Sequence, residues 1–551
     1  MCGLVGQVSF NNQIEKDIII GLGDSINHRG PDDKGTYESQ TKICFLGHRR
    51  LSIIDLSENA RQPMICEDGR FSIVFNGEIY NYVELKNDLS KSGEKFKSSS
   101  DTEVLLKLYI KYGIKCLDLL RGMFIFAIWD NLKNELFLAR DPLGIKQVFY
   151  IETIDGIIFS SELRALNKMK LCKKLDYSSI ATFLRRGSIQ SPNTIFENVK
   201  SLDAGSFLMV SKNDKIKKTK YWDMGFLEFG KIKFQNQNDV VSYVRESLLD
   251  SVKSHLVSDV PVGAFLSGGI DSSAIVSLMR QCGQNKIGTF SLSFEDGMLN
   301  ESVYSRQVSE FYDTDHHELV ISKDDITNII NDFNMSMDQP TIDGLNTYIV
   351  SKFAQQNGYK VVTSGIGGDE LFRGYSLFKI LPKIDSIFKN SPTFCNRLLS
   401  YFLQKSGSLN SINPKWQRFS SAIYPNYSFV NLYEQSRALF SNFELENILN
   451  EYNESFDKNK DSILKEFFEI ETSIEYKISL MESYRYLGSQ LLYDSDIFSM
   501  ANSVELRTPL VDKILYEKIY SIKNEYWLNN KNYNKSLLID AVGDLPMSIY
   551  D

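Results

Sequence analysis

Short alternating apolar runs occupy the first two hundred residues, and longer helix-period patterns occupy the rest. Residues 71–75, 123–129, 135–139 and 157–159 read as strands separated by turns, and 102–112 carries helical spacing. Together they predict a sheet sandwich flanked by helices over residues 2–210. Residues 211–237 are rich in Lys, Asn and Gln, so a solvated linker is expected there, with Lys215-Ile216-Lys217-Lys218-Thr219-Lys220 as its basic part. From a helix expected at 240–257 onward, strands alternate with helices, the pattern of a parallel α/β layer in a second unit spanning 238–551. Beyond residue 375 the pattern is mostly helical, with a polar loop expected at 403–415.

Composition narrows the class. A chain of 551 residues with 42% hydrophobic content has ample material for two to four packed cores. Seven irregularly spaced cysteines without a CxxC pair argue against a disulfide framework or a zinc site. The start lacks a basic, apolar leader pattern, and no apolar run reaches the roughly 18 residues a membrane span needs. A cytoplasmic protein is expected. The net charge of −8 disfavours nonspecific binding to nucleic acid.

Chemistry concentrates first at Met1-Cys2-Gly3-Leu4-Val5-Gly6. Removing Met1 leaves a cysteine whose thiol and free α-amine share one residue. An α-amine of pKa about 8 can take the proton of its own thiol, an arrangement suited to attacking an amide. His28-Arg29-Gly30-Pro31-Asp32, Arg49-Arg50-Leu51-Ser52-Ile53-Ile54-Asp55, Phe75-Asn76-Gly77-Glu78 and Ser100-Asp101-Thr102-Glu103 follow within a hundred residues. Hydrolysing glutamine needs a cation for its α-carboxylate, an anion for its α-ammonium and donors for the oxyanion. Arg50, Asp101, and Asn76 with the Gly77 N–H can supply them. In this order behind Cys2, the motifs resemble the glutaminase domain of class II glutamine amidotransferases. The resemblance implies an αββα N-terminal-nucleophile sandwich, with Cys2, Asn76 and Gly77 catalytic and Arg50, Asn76, Gly77, Glu78 and Asp101 binding glutamine.

The second unit opens with Val262-Gly263-Ala264-Phe265-Leu266-Ser267-Gly268-Gly269-Ile270-Asp271-Ser272-Ser273, an apolar strand running into a small-residue loop before a helix. Such a loop offers backbone N–H groups to phosphate. Without a Gly-Lys-Ser/Thr ending it is not the usual P-loop. It resembles the pyrophosphate loop of ATP pyrophosphatases, and Ser364-Gly365-Ile366-Gly367-Gly368-Asp369-Glu370 is a second glycine loop after a strand. The resemblance implies a Rossmann-like domain binding ATP through Leu266, Ser267, Gly268, Gly269, Asp271, Ser272, Ser293, Ser364 and Gly365. Asp271 and Asp369 are the expected Mg²⁺ ligands, since Mg²⁺ prefers carboxylate oxygen. With Ser499-Met500-Ala501-Asn502-Ser503-Val504-Glu505-Leu506-Arg507 farther on, the whole order resembles glutamine-dependent asparagine synthetases.

That resemblance implies an ATP-dependent ligase that adenylates aspartate and aminates it with ammonia released at Cys2 and led along a dry path. Arg140-Asp141-Pro142-Leu143-Gly144-Ile145-Lys146 resembles the family segment that contacts the other domain, and also reads as a polar turn. A second copy of the chain is an allowed partner. Three departures open alternatives. Ile366 stands where well-known members carry an acid. Asp338-Gln339-Pro340 differs from the usual Asp-Glu-Pro around the expected acceptor pocket, which admits a uronic-acid carboxylate of surface polysaccharide synthesis as acceptor. A family lysine is expected after residue 551, so the domain reads as C-terminally short and adenylation as slow, leaving a product with glutaminase activity or ligand binding only as a further alternative. Arg507 or Lys535 could supply the cation, although Lys535 also reads as an exposed helix-start residue.

Overall fold

The computed structural model describes residues 2–213, 215–295, 302–407, 414–423, 427–441, 444–445, 447–448, 462–527, 534–546 and 549. Two six-stranded antiparallel sheets build the first unit. One runs in the order Lys200–Ser201, Phe149–Glu152, Gly156–Ser160, Gly3–Ser9, Cys44–Arg50 and Asp33–Glu38. The other runs Lys215–Lys220, Ser206–Ser211, Glu135–Arg140, Gly122–Asp130, Phe71–Ile79 and Met64–Ile65.

Period-two alternation decides which side chain faces which layer. Leu4, Val8 and Leu46 of the first sheet pack against Val74, Ile125 and Leu138 of the second, closing the sandwich. Their neighbours point outward. Val5 and Phe45 meet Ile19 and Leu22 of helix Lys16–Ser25, while Phe71, Ile73 and Phe75 meet Val104, Leu105 and Leu108 of helix Asp101–Tyr112. The result is the expected helix–sheet–sheet–helix stack.

The basic run expected to be linker is instead the edge strand Lys215–Lys220, paired along its length with Ser206–Ser211. Four lysines in six residues suit an edge strand, where charge discourages pairing with another chain. The connector that follows is docked: Gly230 N–H donates to Tyr520 O at 3.0 Å and Ile232 N–H to Ser521 O at 2.9 Å.

The second unit carries a five-stranded parallel sheet in the order Asp315–Ile321, Gly288–Phe294, Val262–Phe265, Val361–Thr363, Glu505–Arg507. Its first strand lies in the middle, so the strand order reverses beside it, and loops leaving the carboxyl ends there form a crevice. Helix Gln237–His255 precedes the sheet and helix Ile270–Gln281 follows its first strand. After residue 375 the described chain is mostly helical; helices Thr393–Gly407 and Pro414–Ile423 occupy most of the stretch expected to be a loop at 403–415, whose residues 408–413 lie outside the described residues. Among the described helices, none is long and apolar enough to cross a membrane.

An unbroken helix spans 474–500, with its middle, Ser483–Leu491, wound as a π-helix. Its last third meets the first unit through Asp496, which accepts from Arg29 Nη2 at 2.8 Å and Lys146 Nζ at 3.2 Å, with Arg29 and Lys146 both fully buried. Segment 140–146 therefore does reach the other unit. Asp338 also belongs to this interface rather than to an open acceptor pocket: its carboxylate accepts from the Leu163 and Arg164 N–H groups and from Tyr493 Oη, and Gln339 Oε1 accepts from Ile195 N–H at 2.9 Å.

Candidate active site

Two groups of chemically active residues stand back to back across this interface. In the first, the strand that opens at Gly3 places Cys2 against Asn76 of strand Phe71–Ile79, and the Cys2 N–H donates to Asn76 Oδ1 at 2.9 Å. Arg29 Nε donates to the Cys2 carbonyl at 3.1 Å. A cavity opens between them, lined among others by Cys2, Arg50, Gly77, Glu78 and Asp101. Five of the six residues expected around glutamine thus share one cavity, and the sixth, Asn76, accepts from the Cys2 N–H.

Each end of that cavity is held in place. Arg50, at the end of strand Cys44–Arg50, donates to the carbonyls of Ser57 and Asp55 and is buried. Asp101 opens helix Asp101–Tyr112, where Ser100 Oγ caps the Thr102 N–H at 3.1 Å, and Asp101 Oδ2 accepts from Ile79 N–H at 3.0 Å. Burial outweighs those hydrogen bonds and raises the Asp101 carboxyl to about 6. Burial likewise pushes the Cys2 thiol above its ordinary range, with Arg50 among the groups pulling the other way. The thiol at rest is therefore neutral and needs a base to become a nucleophile.

The amide of Asn76 is oriented by its bond from Cys2, which leaves Nδ2 buried and, among the described residues, without a partner. A buried donor without an acceptor costs about 1–3 kcal/mol, and a developing oxyanion would satisfy it. Gly77 beside it has φ of +151°, and a Cβ there would lie 2.0 Å from Met123 O, so only glycine presents its N–H at this point.

Glu78 has two faces. It lines the cavity, and its Oε1 lies 3.5 Å from Arg507 Nη2 of the parallel sheet. Burial, then the charge of nearby Glu505, pushes the Glu78 carboxyl well above its usual range. Arg507 is fully buried, donating to Glu505 Oε1 at 2.6 Å and to the His255 and Val257 carbonyls at 2.7 Å. It serves the interface and is not free to meet a phosphate, which corrects that expectation.

The second group lies in the crevice at the switch point of the parallel sheet. The loop after Val262–Phe265 turns at Gly268, with φ of +81°, and is closed by Ser267 Oγ and Ser272 Oγ 3.0 Å apart and by Ser272 Oγ donating to Gly269 O. Leu266 is buried, its N–H donating to Phe290 O. The adjacent loop begins at Ser364, whose N–H donates to Arg507 O at 2.9 Å, and continues through Gly365 against the backbone of Asp271. Ser293 stands at the end of the neighbouring strand, but its hydroxyl is committed to Glu318 Oε1 at 2.7 Å.

Asp271 and Asp369 converge from the two loops, and Lys535 Nζ bridges them at 2.5 and 2.6 Å. Lys535 is thus largely buried rather than an exposed helix-start residue, because the turn before helix Ser536–Val542 carries it into the crevice. Burial pushes the Asp271 carboxyl up to about 6 against the pull of Lys535. Asp271 Oδ1 is buried and unpartnered among the described residues, and a Cβ at Gly368 would lie 2.3 Å from the Asp271 carboxyl carbon. A spare carboxylate oxygen in a cradle that only glycine leaves open, beside a second carboxylate, fits a Mg²⁺ ion that takes its remaining ligands from phosphate and water. Ile366 packs with the apolar cores on either side of the loop and offers no acid.

Arg29, Gln62 and Asp496 escaped the sequence reading as functional residues. Gln62 lines the glutamine-side cavity and its Oε1 accepts from Phe75 N–H at 2.6 Å. Arg29 lay within a quoted motif, which was its signal; nothing in Leu492–Met500 set Asp496 apart from its neighbour Asp494.

Comparison with known proteins agrees with both halves. Residues 1–222 match the glutamine amidotransferase domain model and residues 243–551 the asparagine synthase model. The chain is 31% identical over 99% of its length to the glutamine-hydrolysing asparagine synthetase 1 of Bacillus subtilis, covering 85% of that protein. It is 37% identical over 68% of its length to a putative glutamine-hydrolysing asparagine synthetase 2 of Methanocaldococcus jannaschii, covering 76% of it. It is 28% identical over 94% of its length to the amidase chry2 of Gibberella zeae, covering 81%. The chain belongs to the asparagine synthase family, ATP-dependent carbon–nitrogen ligases that carry a glutamine amidotransferase domain.

Proposed function

We propose that this protein makes asparagine, activating the side-chain carboxylate of aspartate with ATP and aminating it with ammonia from glutamine in the cytoplasm. The observation that carries the reading is the short connection between the two groups: Glu78 of the glutamine-side cavity pairs with Arg507, whose carbonyl holds the Ser364 N–H of the ATP-side loop. Such proximity suits a path that keeps ammonia away from bulk water, where it would be protonated. Aspartate as acceptor rests on the names of the relatives.

In this reading the α-amine of Cys2, freed when Met1 is removed, takes the thiol proton, and the thiolate attacks the side-chain amide of glutamine. Asp101 holds the substrate ammonium, Arg50 its carboxylate, and Asn76 Nδ2 with the Gly77 N–H receives the oxyanion. Ammonia leaves as the thioester forms, and water then frees glutamate. Across the interface, the 267–272 loop cradles the pyrophosphate of ATP while the acceptor carboxylate attacks the α-phosphate. Asp271 and Asp369 would hold Mg²⁺, which supplies charge neutralisation on the phosphates. Ammonia displaces AMP from the acyl adenylate.

The test is product analysis with glutamine, MgATP and a panel of acids. Equal amounts of asparagine, AMP and pyrophosphate with aspartate support the proposal. Exchange of pyrophosphate into ATP with a hexuronic acid but not with aspartate overturns the acceptor.

Two further results are expected at the glutamine side. Asn76→Ala should lower kcat for glutamine hydrolysis by about a hundredfold with a much smaller change in KM, because its donor is needed mainly in the transition state. Steady-state kinetics would refute the oxyanion role if KM rose and kcat held. For Asp101, the charged form is the one that binds an ammonium group. With its carboxyl raised to about 6, kcat/KM should fall by about a further tenfold per pH unit below that value, beyond the fall that protonation of the Cys2 α-amine already causes. Asp101→Asn should bind glutamine weakly at every pH and lose this limb of the profile; a limb unchanged in the variant assigns it to another group.

A further inference from the structure

Helix Thr393–Gly407 is turned inside out. Its polar Asn396 and Ser400 face the protein, where Ser400 Oγ donates to Ser420 O at 3.1 Å and Asn396 Oδ1 accepts from Ser391 Oγ at 2.6 Å. Phe394, Leu398, Leu399, Tyr401 and Phe402 face solvent, with Phe394 69% and Phe402 65% exposed. The preceding helix, Leu377–Phe388, buries Phe378 and Leu381 but leaves Ile380 and Ile387 exposed. A soluble surface scatters such side chains singly; seven within 23 residues form a patch that calls for a partner.

Charge tells which partner. Residues 377–418 hold seven Lys and Arg, among them Lys379, Lys383, Lys389 and Arg397, against one acid, Asp385, in a chain whose net charge is −8. Lys383, Lys389 and Arg397 are exposed beside the apolar side chains. A second copy docked face to face would set these basic groups against one another. A leaflet rich in anionic phospholipid satisfies both features, accepting aromatic and aliphatic side chains below a negatively charged surface.

We propose that these two helices form a reversible docking face for an anionic phospholipid membrane, lying in its surface without crossing it. The rest of the chain, which carries the negative charge, would be held away from the lipid, with both active sites free to work.

The test is flotation of the full chain with vesicles of phosphatidylcholine alone or containing about a third phosphatidylglycerol, at low and high salt. The chain should float with the anionic vesicles at least about tenfold better than with neutral ones, and added salt should weaken this. The variants Phe394→Glu/Phe402→Glu and Lys389→Glu/Arg397→Glu should each lose about tenfold or more of the binding. Their acid-dependent exchange of pyrophosphate into ATP should stay unchanged, which shows that the unit carrying these helices folds. Absence of flotation with anionic vesicles at low salt, or full flotation of Phe394→Glu/Phe402→Glu, overturns the proposal. So does sedimentation showing an oligomer that this variant splits, which would assign the face to self-association.

Discussion

Replacing Cys2 with Ala is expected to lower glutamine hydrolysis by at least about 10⁴-fold, the scale on which loss of a covalent nucleophile is felt. No other thiol can take over: the cavity holds Cys2 alone among the described cysteines, and Cys44 and Cys116 are buried in apolar cores. The loss should be confined to one half of the protein. Alanine keeps the backbone N–H that orients Asn76 and the carbonyl that Arg29 holds, so the interface through Asp496 should stand. Free ammonia should then still support amide formation with ATP at a rate close to that of the parent protein. Measured together, the two rates separate the chemistry from the fold. Loss of both would mean that Cys2 carries the interface, and survival of hydrolysis would remove it as nucleophile.

The proposed nucleophile stands out in the sequence because that chemistry is local. A cysteine at position 2, an Asn-Gly pair and a Ser-Gly-Gly loop each announce a backbone arrangement that few residues allow, and the strands around them alternate with a clear period of two. What stayed hidden was long-range. Nothing near Lys535 indicates that a turn will carry it to Asp271, 264 residues earlier. Arg507 looked equally available for phosphate, yet it is fully buried, with Nε and Nη1 taken by Glu505 and two carbonyls and Nη2 facing Glu78. The basic run 215–220 misled for a different reason: a lysine-rich edge strand resembles a solvated linker in composition, and only the pairing with Ser206–Ser211 distinguishes them. Asp338 and Gln339 were placed around an acceptor pocket by likeness alone, whereas they accept from the backbone of the first unit, at Leu163, Arg164 and Ile195.

The second large effect is expected at Lys535. Lys535→Met should lower acid-dependent exchange of pyrophosphate into ATP by about 10²- to 10³-fold, the usual loss when one preorganised charge is removed from a developing anion. Glutamine hydrolysis should stay within a few-fold. Two accounts of Lys535 lead to this loss, and magnesium separates them. If the ammonium only holds Asp271 and Asp369 together by cancelling their mutual repulsion, then without it the two carboxylates repel, one of them takes up a proton, and a higher Mg²⁺ concentration can replace the missing charge and restore exchange. If the ammonium itself meets the phosphate oxygens, no concentration of Mg²⁺ repairs the variant. Lys535→Arg sharpens the comparison. A planar guanidinium cannot settle as a compact point charge between oxygens that Nζ reaches at 2.5 and 2.6 Å, so charge alone should not rescue the rate. The two bridging distances favour an ammonium that is shared with the carboxylates at rest and handed to the phosphate when MgATP arrives, which makes persistent loss at high Mg²⁺ the expected result. Full exchange by Lys535→Met at ordinary Mg²⁺ would show that another cation serves the phosphates and that Lys535 only closes the loops together.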